Sequence, residues 1–369
     1  MNIAIVASTT GNQRRHLLAA ARELGHDHRV TIYSRRTSAE PKQRTRLTQG
    51  VTIEHIDAGP ARDLPADDVV SYLPEFGRYL MRRWSAERPD VIHAHSWTAG
   101  LAAVAGSEGM GVPVTQTLHP SGATHLKLEQ ALGRRASAVI AGSGDEESAL
   151  IRLGVPRRSI AVIPAGVDVS RFRRLGAVAA RGTRKRILHV GSLTPGMGAH
   201  TAVRALSAIP DVELVIAGGP DPADLDTDRE ARRLTDLAAN LGVGDRVRLL
   251  GRVPRAQVPR LMRSADAVIT LPREVPSGVV ALEAMACGVP VIASAVGAHL
   301  DSVVDGVTGL LVPPDRPART ARLARTLLTD ITLRTALGYA GADRVRSRYS
   351  WERIGQELLR VYEDALVRA

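Results

Sequence analysis

Two successive series of short apolar segments, each alternating with segments of helical periodicity, constrain the fold of this chain more than any other feature. In the first series the apolar segments are Ile3 to Ala7, Arg29 to Tyr33, Val51 to Ile56, Val91 to Ala94, Val112 to Leu118 and Ala138 to Ala141. Apolar runs without polar alternation are typical of strands that are buried on both faces. The series therefore predicts a parallel sheet with helices on each side.

The second series follows a basic, irregular segment, Arg171 to Arg186. Its predicted strands are Ile187 to Val190, Glu213 to Ala217, Val247 to Leu250, Ala267 to Leu271, Val289 to Ala293 and Gly309 to Val312. With 369 residues, the chain is long enough for two domains with separate cores. We predict an N-terminal domain over residues 1–170, a C-terminal domain over residues 171–349, and a ligand cleft between them at the carboxyl ends of the strands.

One segment of the second series, PREVPSGVVALEAMACGVPVIAS at Pro272 to Ser294, indicates a loop, a helix and a buried strand. Ser277 and Gly278 lie at the predicted start of the helix, where free backbone N–H groups and the helix dipole favour an anion such as phosphate. Glu283 lies further along the same helix, close enough to that end to reach a sugar hydroxyl. The segment therefore predicts a site for a phosphorylated sugar or nucleotide.

The same segment resembles the donor-site signature of retaining glycosyltransferases of family 4, and further blocks resemble that family in the same order. They are STTGNQRRH at Ser8 to His16, DVIHAHSWTAG at Asp90 to Gly100, VTQTLHP at Val114 to Pro120, ASAVIAGS at Ala136 to Ser143, IPAGVD at Ile163 to Asp168, ILHVGSLTPGMG at Ile187 to Gly198 and GVTGLLVPP at Gly306 to Pro314. The resemblance implies the α/β GT-B fold, in which two doubly wound Rossmann-like domains face each other across a cleft. It also implies that the C-terminal helix, residues 350–369, packs back on the N-terminal domain.

The resemblance implies a role for individual residues on each side of that cleft. On the donor side, Glu283 would hold the ribose hydroxyls, and the backbone of Ser277, Gly278 and Val279 would meet the phosphates of a nucleotide-diphosphate sugar. His119 would position or polarise the donor sugar and is the candidate catalytic residue. On the acceptor side, Gly11 would let the backbone approach the substrate, and His95 would be structural or lie near the acceptor.

The chain departs from the family pattern at three donor-site positions. After Gly191 the family usually has an Arg, and five residues later a Lys, both of which bind the diphosphate; here those positions are Ser192 and Met197. The family also has a Glu that contacts the donor sugar where this chain has Val275, with Glu274 one step earlier. A charge-assisted hydrogen bond contributes roughly 1.5–3 kcal/mol, so two lost cations weaken the site severely unless others replace them. The candidate replacements are Arg252, Arg255 and Arg273, with Arg273 first because it shares a loop with Ser277, and Glu274 is the candidate for the Val275 role.

Two functions remain open on this pattern. The first is a retaining glycosyltransferase that moves a sugar, for instance a deoxy or amino sugar, from a nucleotide-diphosphate donor to a small-molecule acceptor in specialised-metabolite or glycoconjugate biosynthesis. The second is a catalytically inactive GT-B-shaped binding or partner subunit, which the three departures would suit. The family resemblance implies no metal and no cofactor besides the nucleotide-sugar co-substrate.

Composition bears on partners and location. The formal net charge of +11 lies almost entirely on arginine, and it fits either a codon-biased, high-GC genome or an anionic partner, namely a nucleotide, an anionic membrane or nucleic acid. Nucleic acid is disfavoured, because no aromatic residues interleave the basic clusters as stacking platforms. A peripheral membrane surface remains a candidate partner, since relatives that glycosylate lipids dock through basic N-domain surfaces. A single cysteine, Cys287, and a first strand that begins at the N-terminus favour a cytoplasmic protein without a secretion signal.

Overall fold

The computed structural model describes residues 1–7, 11–39, 42–118, 125–274 and 277–368, without the side chains of residues 11–13. Its strands are β1 (Asn2–Ala7), β2 (Arg29–Arg35), β3 (Arg44–Thr48), β4 (Val51–Ile56), β5 (Val91–His95), β6 (Val114–Thr117), β7 (Ala138–Ala141), β8 (Ile160–Val162), β9 (Lys185–Val190), β10 (Val212–Ala217), β11 (Val247–Gly251), β12 (Ala267–Thr270), β13 (Val291–Ser294) and β14 (Leu310–Val312). The α-helices are α1 (Gly11–Leu24), α2 (Ala66–Val69), α3 (Leu73–Ala86), α4 (Trp97–Gly106), α5 (Leu126–Arg135), α6 (Gly144–Arg152), α7 (Ala199–Leu206), α8 (Arg229–Asn240), α9 (Val258–Arg263), α10 (Val279–Ala286), α11 (Ala298–Ser302), α12 (Pro317–Thr329), α13 (Ile331–Arg348) and α14 (Trp351–Arg368).

The chain divides into two compact units. The first consists of Met1–Pro164 with Trp351–Ala369, and the second is Ala165–Ser350. The sequence predicted the division after residues 170 and 349. The observed boundaries fall after Pro164 and Ser350.

The sheet of the first unit has the strand order β3-β4-β2-β1-β5-β6-β7-β8. Its pairs are parallel except for β3 and β4, which are antiparallel. Ile3 and Ile5 of β1 pack on the face covered by α1 and α14, while Ala4 and Val6 pack on the face covered by α3 and α4. Apolar side chains on both faces of β1 explain why its sequence shows no polar alternation.

The second unit contains a parallel sheet with the strand order β11-β10-β9-β12-β13-β14. Adjacent residues of β9 again face opposite sides. Ile187 packs with α7, α8 and α12, and Leu188 packs with α9 and α10. The strand order reverses between β9 and β12, as in the Rossmann fold, and ligands of such sheets bind beyond the carboxyl ends of the strands at that point. The two doubly wound units confirm the predicted α/β fold class.

The last helix, α14, belongs to the first unit. Ile354, Leu358 and Tyr362 are buried in the same cluster as α1 and β1. The Tyr362 hydroxyl lies 2.6 Å from Nδ1 of His93, and Nε2 of His93 lies 2.8 Å from the hydroxyl of Thr117. Burial lowers the pKa of His93 to about 3, so this imidazole is neutral at physiological pH. A hydrogen-bonded core histidine thus ties α14 to the centre of the first sheet.

Candidate active site

The loops that follow β9 and β12 meet at the switch point of the second sheet. The backbone N–H of Arg273 donates to the carbonyl of Gly196 over 2.8 Å. Gly191, Ser192 and Met197 lie on the first loop, and Arg273, Glu274 and Ser277 lie on the second. The structure therefore brings the predicted donor-side residues of these two loops to one edge of the sheet. Val275 lies outside the described residues, so its predicted departure is not placed.

The loop after β9 is ordered by its own hydrogen bonds. The Ser192 hydroxyl accepts from the backbone N–H of Thr194 at 3.1 Å and lies 2.6 Å from the Thr194 hydroxyl. The N–H of Met197 donates to the Thr194 carbonyl at 3.1 Å. The side chains of Ser192 and Met197 are both exposed, so the two positions face solvent without a charge. The loop therefore forms an ordered turn with Ser192 and Met197 at the two positions where the resemblance predicts cations.

Gly198 lets α7 begin directly against the end of β12. Its φ of +92° lies in the left-handed region, and a Cβ at this position would lie 2.5 Å from the carbonyl carbon and oxygen of Leu271. A side chain here would be strained and would collide with backbone. The close approach of these two elements therefore requires glycine.

Helix α10 begins where the sequence predicted it. Gly278 is its N-cap residue, Val279 is its first residue, and Gly278 makes no side-chain cap hydrogen bond within the described part of the chain. The N–H groups of a helix's first turn have no partner within the helix, and the helix dipole favours an anion at this end. The helix ends at Ala286 with Cys287 as C-cap, and burial raises the pKa of the Cys287 thiol to about 11, which keeps it in the neutral form.

Glu283 is a buried carboxylate on α10 that is held by Arg255. Glu283 is 2% exposed, and Oε2 accepts from Nη1 of Arg255 at 2.8 Å, while Oε1 accepts from Nη2. Arg255 lies between β11 and α9, and its side chain is 41% exposed. The Arg255 guanidinium carbon lies 4.6 Å from the centroid of the buried Phe172 ring, a cation–π arrangement. The sequence identified Glu283 and Arg255 separately but gave no signal for their pairing.

The other candidate cations form exposed ion pairs. Nε of Arg273 lies 2.6 Å from Oδ2 of Asp315, and Nε of Arg252 lies 3.4 Å from Oδ1 of Asp221. Exposed pairs of this kind contribute roughly 0–1 kcal/mol, so either arginine can exchange its carboxylate for another anion at small cost. Of the two, Arg273 is the one whose backbone contacts the loop of Met197.

The predicted acceptor-side residues lie in the first unit. His95 is the last residue of β5, and its ring centroid lies 4.1 Å from that of His93. The next residues start α4: Ser96, with a φ of +92°, is its N-cap, and the Trp97 ring stacks on His125 with centroids 4.2 Å apart. Gly11 is the first residue of α1. His119, the predicted catalytic residue, lies outside the described residues.

Among the described residues, no group of three or more His, Cys, Asp or Glu side chains is arranged to hold a metal ion. None of their helices is both long and apolar enough to span a bilayer.

Solved structures share the architecture of this chain. Sucrose-phosphate synthase from Thermosynechococcus elongatus superimposes with a TM-score of 0.85 at 25% identity, over 100% of both chains. Anabaena HepE, in complex with UDP-glucose, superimposes with a TM-score of 0.76 at 21% identity over 98% of both chains. At 21% identity, the similarity to HepE is one of fold alone.

Sequence relatives and family profiles agree with each other. The profile "Glycosyltransferase Family 4" matches residues 13–171, and "Glycosyl transferases group 1" matches residues 174–344. A D-inositol 3-phosphate glycosyltransferase of Frankia alni is 32% identical over 91% of this chain and 90% of its own. Another, of Acidothermus cellulolyticus, is 34% identical over 91% of this chain and 82% of its own. This chain therefore belongs to glycosyltransferase family 4 and is a glycosyltransferase with the GT-B fold.

Proposed function

We propose that the protein is a retaining glycosyltransferase that moves a sugar from a nucleotide-diphosphate donor to a small-molecule acceptor. The observation that carries the proposal is the buried Glu283 carboxylate, which lies on α10, five residues after its N-cap Gly278, at the switch point of the second sheet. A carboxylate accepts hydrogen bonds from two hydroxyls, and a helix N-terminus binds phosphate. Together they match the ribose and diphosphate of one nucleotide.

The donor would be oriented by groups on both loops. Glu283 would accept from the ribose hydroxyls, and the backbone N–H groups of Ser277, Gly278 and Val279 would donate to the phosphates. Arg273, whose backbone contacts Gly196, would supply positive charge beside the loop where Met197 lies. This charge matters most in the transition state, because the leaving diphosphate gains negative charge as the glycosidic bond breaks.

The chemical step follows from that charge distribution. The leaving phosphate oxygen would take the proton of the attacking acceptor hydroxyl on the same face of the sugar, which retains the anomeric configuration. Backbone N–H groups and arginines, with no metal ion, would stabilise the diphosphate. His119, two residues beyond β6, would contact the donor sugar. The departures at Ser192, Met197 and Val275 favour an altered donor sugar, such as a deoxy or amino sugar.

The acceptor is proposed as a small hydroxylated molecule, used in specialised-metabolite or glycoconjugate biosynthesis. Two relatives are D-inositol 3-phosphate glycosyltransferases, so inositol 3-phosphate is the first acceptor to test. Gly11 and His95 are the proposed acceptor-side residues.

Calorimetric titration without metal, using UDP, GDP, ADP and dTDP, tests the donor site. We expect one nucleotide to bind at micromolar strength and Glu283→Gln to weaken it about tenfold or more, because Gln replaces one charged acceptor oxygen by a donor. Val304→Gln, at an exposed position on the same unit, is the control and should not change binding. Failure of all four nucleotides to bind the wild-type protein would refute the proposal.

A further inference from the structure

The Glu283 carboxylate is covered in the structure by the side chain of Arg255. Both carboxylate oxygens accept hydrogen bonds from the guanidinium, and Glu283 is 2% exposed while the side chain of Arg255 is 41% exposed. A bidentate arginine occupies the two oxygens with fixed planar geometry. A ribose that is to be held by both oxygens therefore has to displace Arg255.

The side chain of Arg255 is partly exposed, so its guanidinium can change partners without disturbing the core. Its guanidinium lies over the Phe172 ring at 4.6 Å, and Phe172 itself is 1% exposed and fixed in the core. Gly278, the N-cap of α10, precedes Glu283 by five residues, which corresponds to about 7 Å along the helix axis. This distance is within the swing of an arginine side chain. A guanidinium released from Glu283 can thus reach an anion bound at the start of α10.

We propose that nucleotide binding exchanges the partners of Arg255: the ribose hydroxyls take Glu283, and the released guanidinium takes the donor diphosphate. The inference rests on the proposed function, because it assumes that the nucleotide binds at α10. It assigns to Arg255 one of the two cationic roles that Ser192 and Met197 do not fill. It also makes Arg255 a specificity residue for the phosphates.

The exchange distinguishes a nucleoside diphosphate from a nucleoside. Either ligand has to break the Arg255–Glu283 pair in order to reach the carboxylate. The diphosphate gives the released Arg255 guanidinium a new anionic partner. The nucleoside has no phosphate, so it replaces Glu283 by no other anion. The native pair should therefore weaken nucleoside binding and favour diphosphate binding.

Arg255→Met tests this exchange, since methionine keeps an unbranched apolar side chain over Phe172 and removes the charge. The matched control is Arg260→Met, which removes an exposed arginine from α9, five residues later in the chain, and should leave both affinities unchanged. Dissociation constants are measured for the nucleoside diphosphate that the wild-type protein prefers and for the nucleoside with the same base. We expect Arg255→Met to lower the preference for the diphosphate over the nucleoside, the ratio of their affinities, about 10- to 100-fold, the size of one charge-assisted contact, while nucleoside affinity itself stays constant or rises.

Arg255→Met leaves Glu283 buried without its partner and could therefore misfold. A second variant keeps the proposal testable in that case. Arg255→Lys keeps a positive charge but loses the bidentate geometry, so it should retain part of the diphosphate affinity and bind the nucleoside at least as well as wild type. Circular dichroism and the unfolding midpoint establish that each variant is folded. If either folded variant loses nucleoside and diphosphate affinity by the same factor, Arg255 only orients Glu283 and the exchange is refuted. An unchanged ratio of diphosphate to nucleoside affinity in Arg255→Met refutes it as well, whereas a wild-type protein that binds no nucleotide refutes the proposed function itself.

Discussion

The double substitution Ser192→Arg with Met197→Lys restores the family's two cations and should strengthen nucleotide binding. Both positions are exposed on the loop that follows β9, beside the N-terminus of α7 and the loop that carries Arg273. If the diphosphate binds at this edge of the sheet, each new side chain comes within reach of a phosphate oxygen. The prediction therefore tests where the phosphates lie.

The expected gain follows from the exposure of the two positions. A charge-assisted hydrogen bond contributes roughly 1.5–3 kcal/mol, but Met197 is 37% exposed, and solvent screens a charge placed there. Halving each contribution gives about 1.5–3 kcal/mol for both cations together. Replacing Ser192 also removes the hydrogen bond from Thr194 N–H, which costs about 1 kcal/mol of loop stability. The net gain is about 0.5–2 kcal/mol, so we expect the dissociation constant for the diphosphate to fall about 2- to 30-fold.

The assay is calorimetric titration with the diphosphate and with its nucleoside at two ionic strengths. A control variant, Thr332→Arg with Thr335→Lys, adds the same two charges to the exposed N-terminal part of α13, outside the proposed site. The diphosphate should gain affinity in the loop variant only, and more at low salt, while the nucleoside is unaffected. Equal gains in both variants, or no gain in the loop variant, would show that the phosphates bind elsewhere.

Two further predictions concern stability. Gly198→Ala should lower the free energy of unfolding of the second unit by several kcal/mol, because the new Cβ would lie 2.5 Å from the backbone of Leu271. The control Gly242→Ala should cost only about 1 kcal/mol, because Gly242 has a φ of +66° but open space around it. Equal losses in urea unfolding would contradict the close approach of Gly198 to Leu271. Burial lowers the pKa of His189 to about 4 from an unfolded value of about 6.5, so between those pH values the unfolded chain binds more protons and stability falls as the pH falls. The urea midpoint should therefore decrease from pH 7.5 to pH 5, and His189→Phe should reduce this decrease; the same pH dependence in both proteins would refute the assignment.

The sequence predicted the sheets well because the central strands are buried on both faces. Segments such as Ile3 to Ala7 and Ala138 to Ala141 are continuous apolar runs, and a parallel sheet between two layers of helices buries such runs completely. The end of α10 was equally predictable, since Gly288 adopts a φ of +72° just beyond the helix. Local chemistry decided both features, so the sequence was sufficient for them.

Sequence patterns did not predict the features that depend on tertiary contacts. Strand β3 is polar and mostly exposed, and it forms because β4 offers an edge for antiparallel pairing. The Arg255–Glu283 pair joins residues 28 positions apart, and its existence depends on how the segment after β11 lies against α10. Neither spacing nor periodicity carries that information, because the contact is set by the packing of two elements.

On the proposed function, paired arginines would supply the positive charge that Ser192 and Met197 lack at the donor site. In the structure Arg255 is bound to Glu283 and Arg273 is bound to Asp315, so both candidate cations are neutralised before a nucleotide binds. Each would exchange a protein carboxylate for a phosphate, and the gain from such an exchange is smaller than the gain from an unpaired cation. The site should then bind diphosphate more weakly than one with the family's Arg and Lys. It should also reject ligands without phosphates more strongly, since those would break the Arg255–Glu283 pair and give the arginine no anion in return.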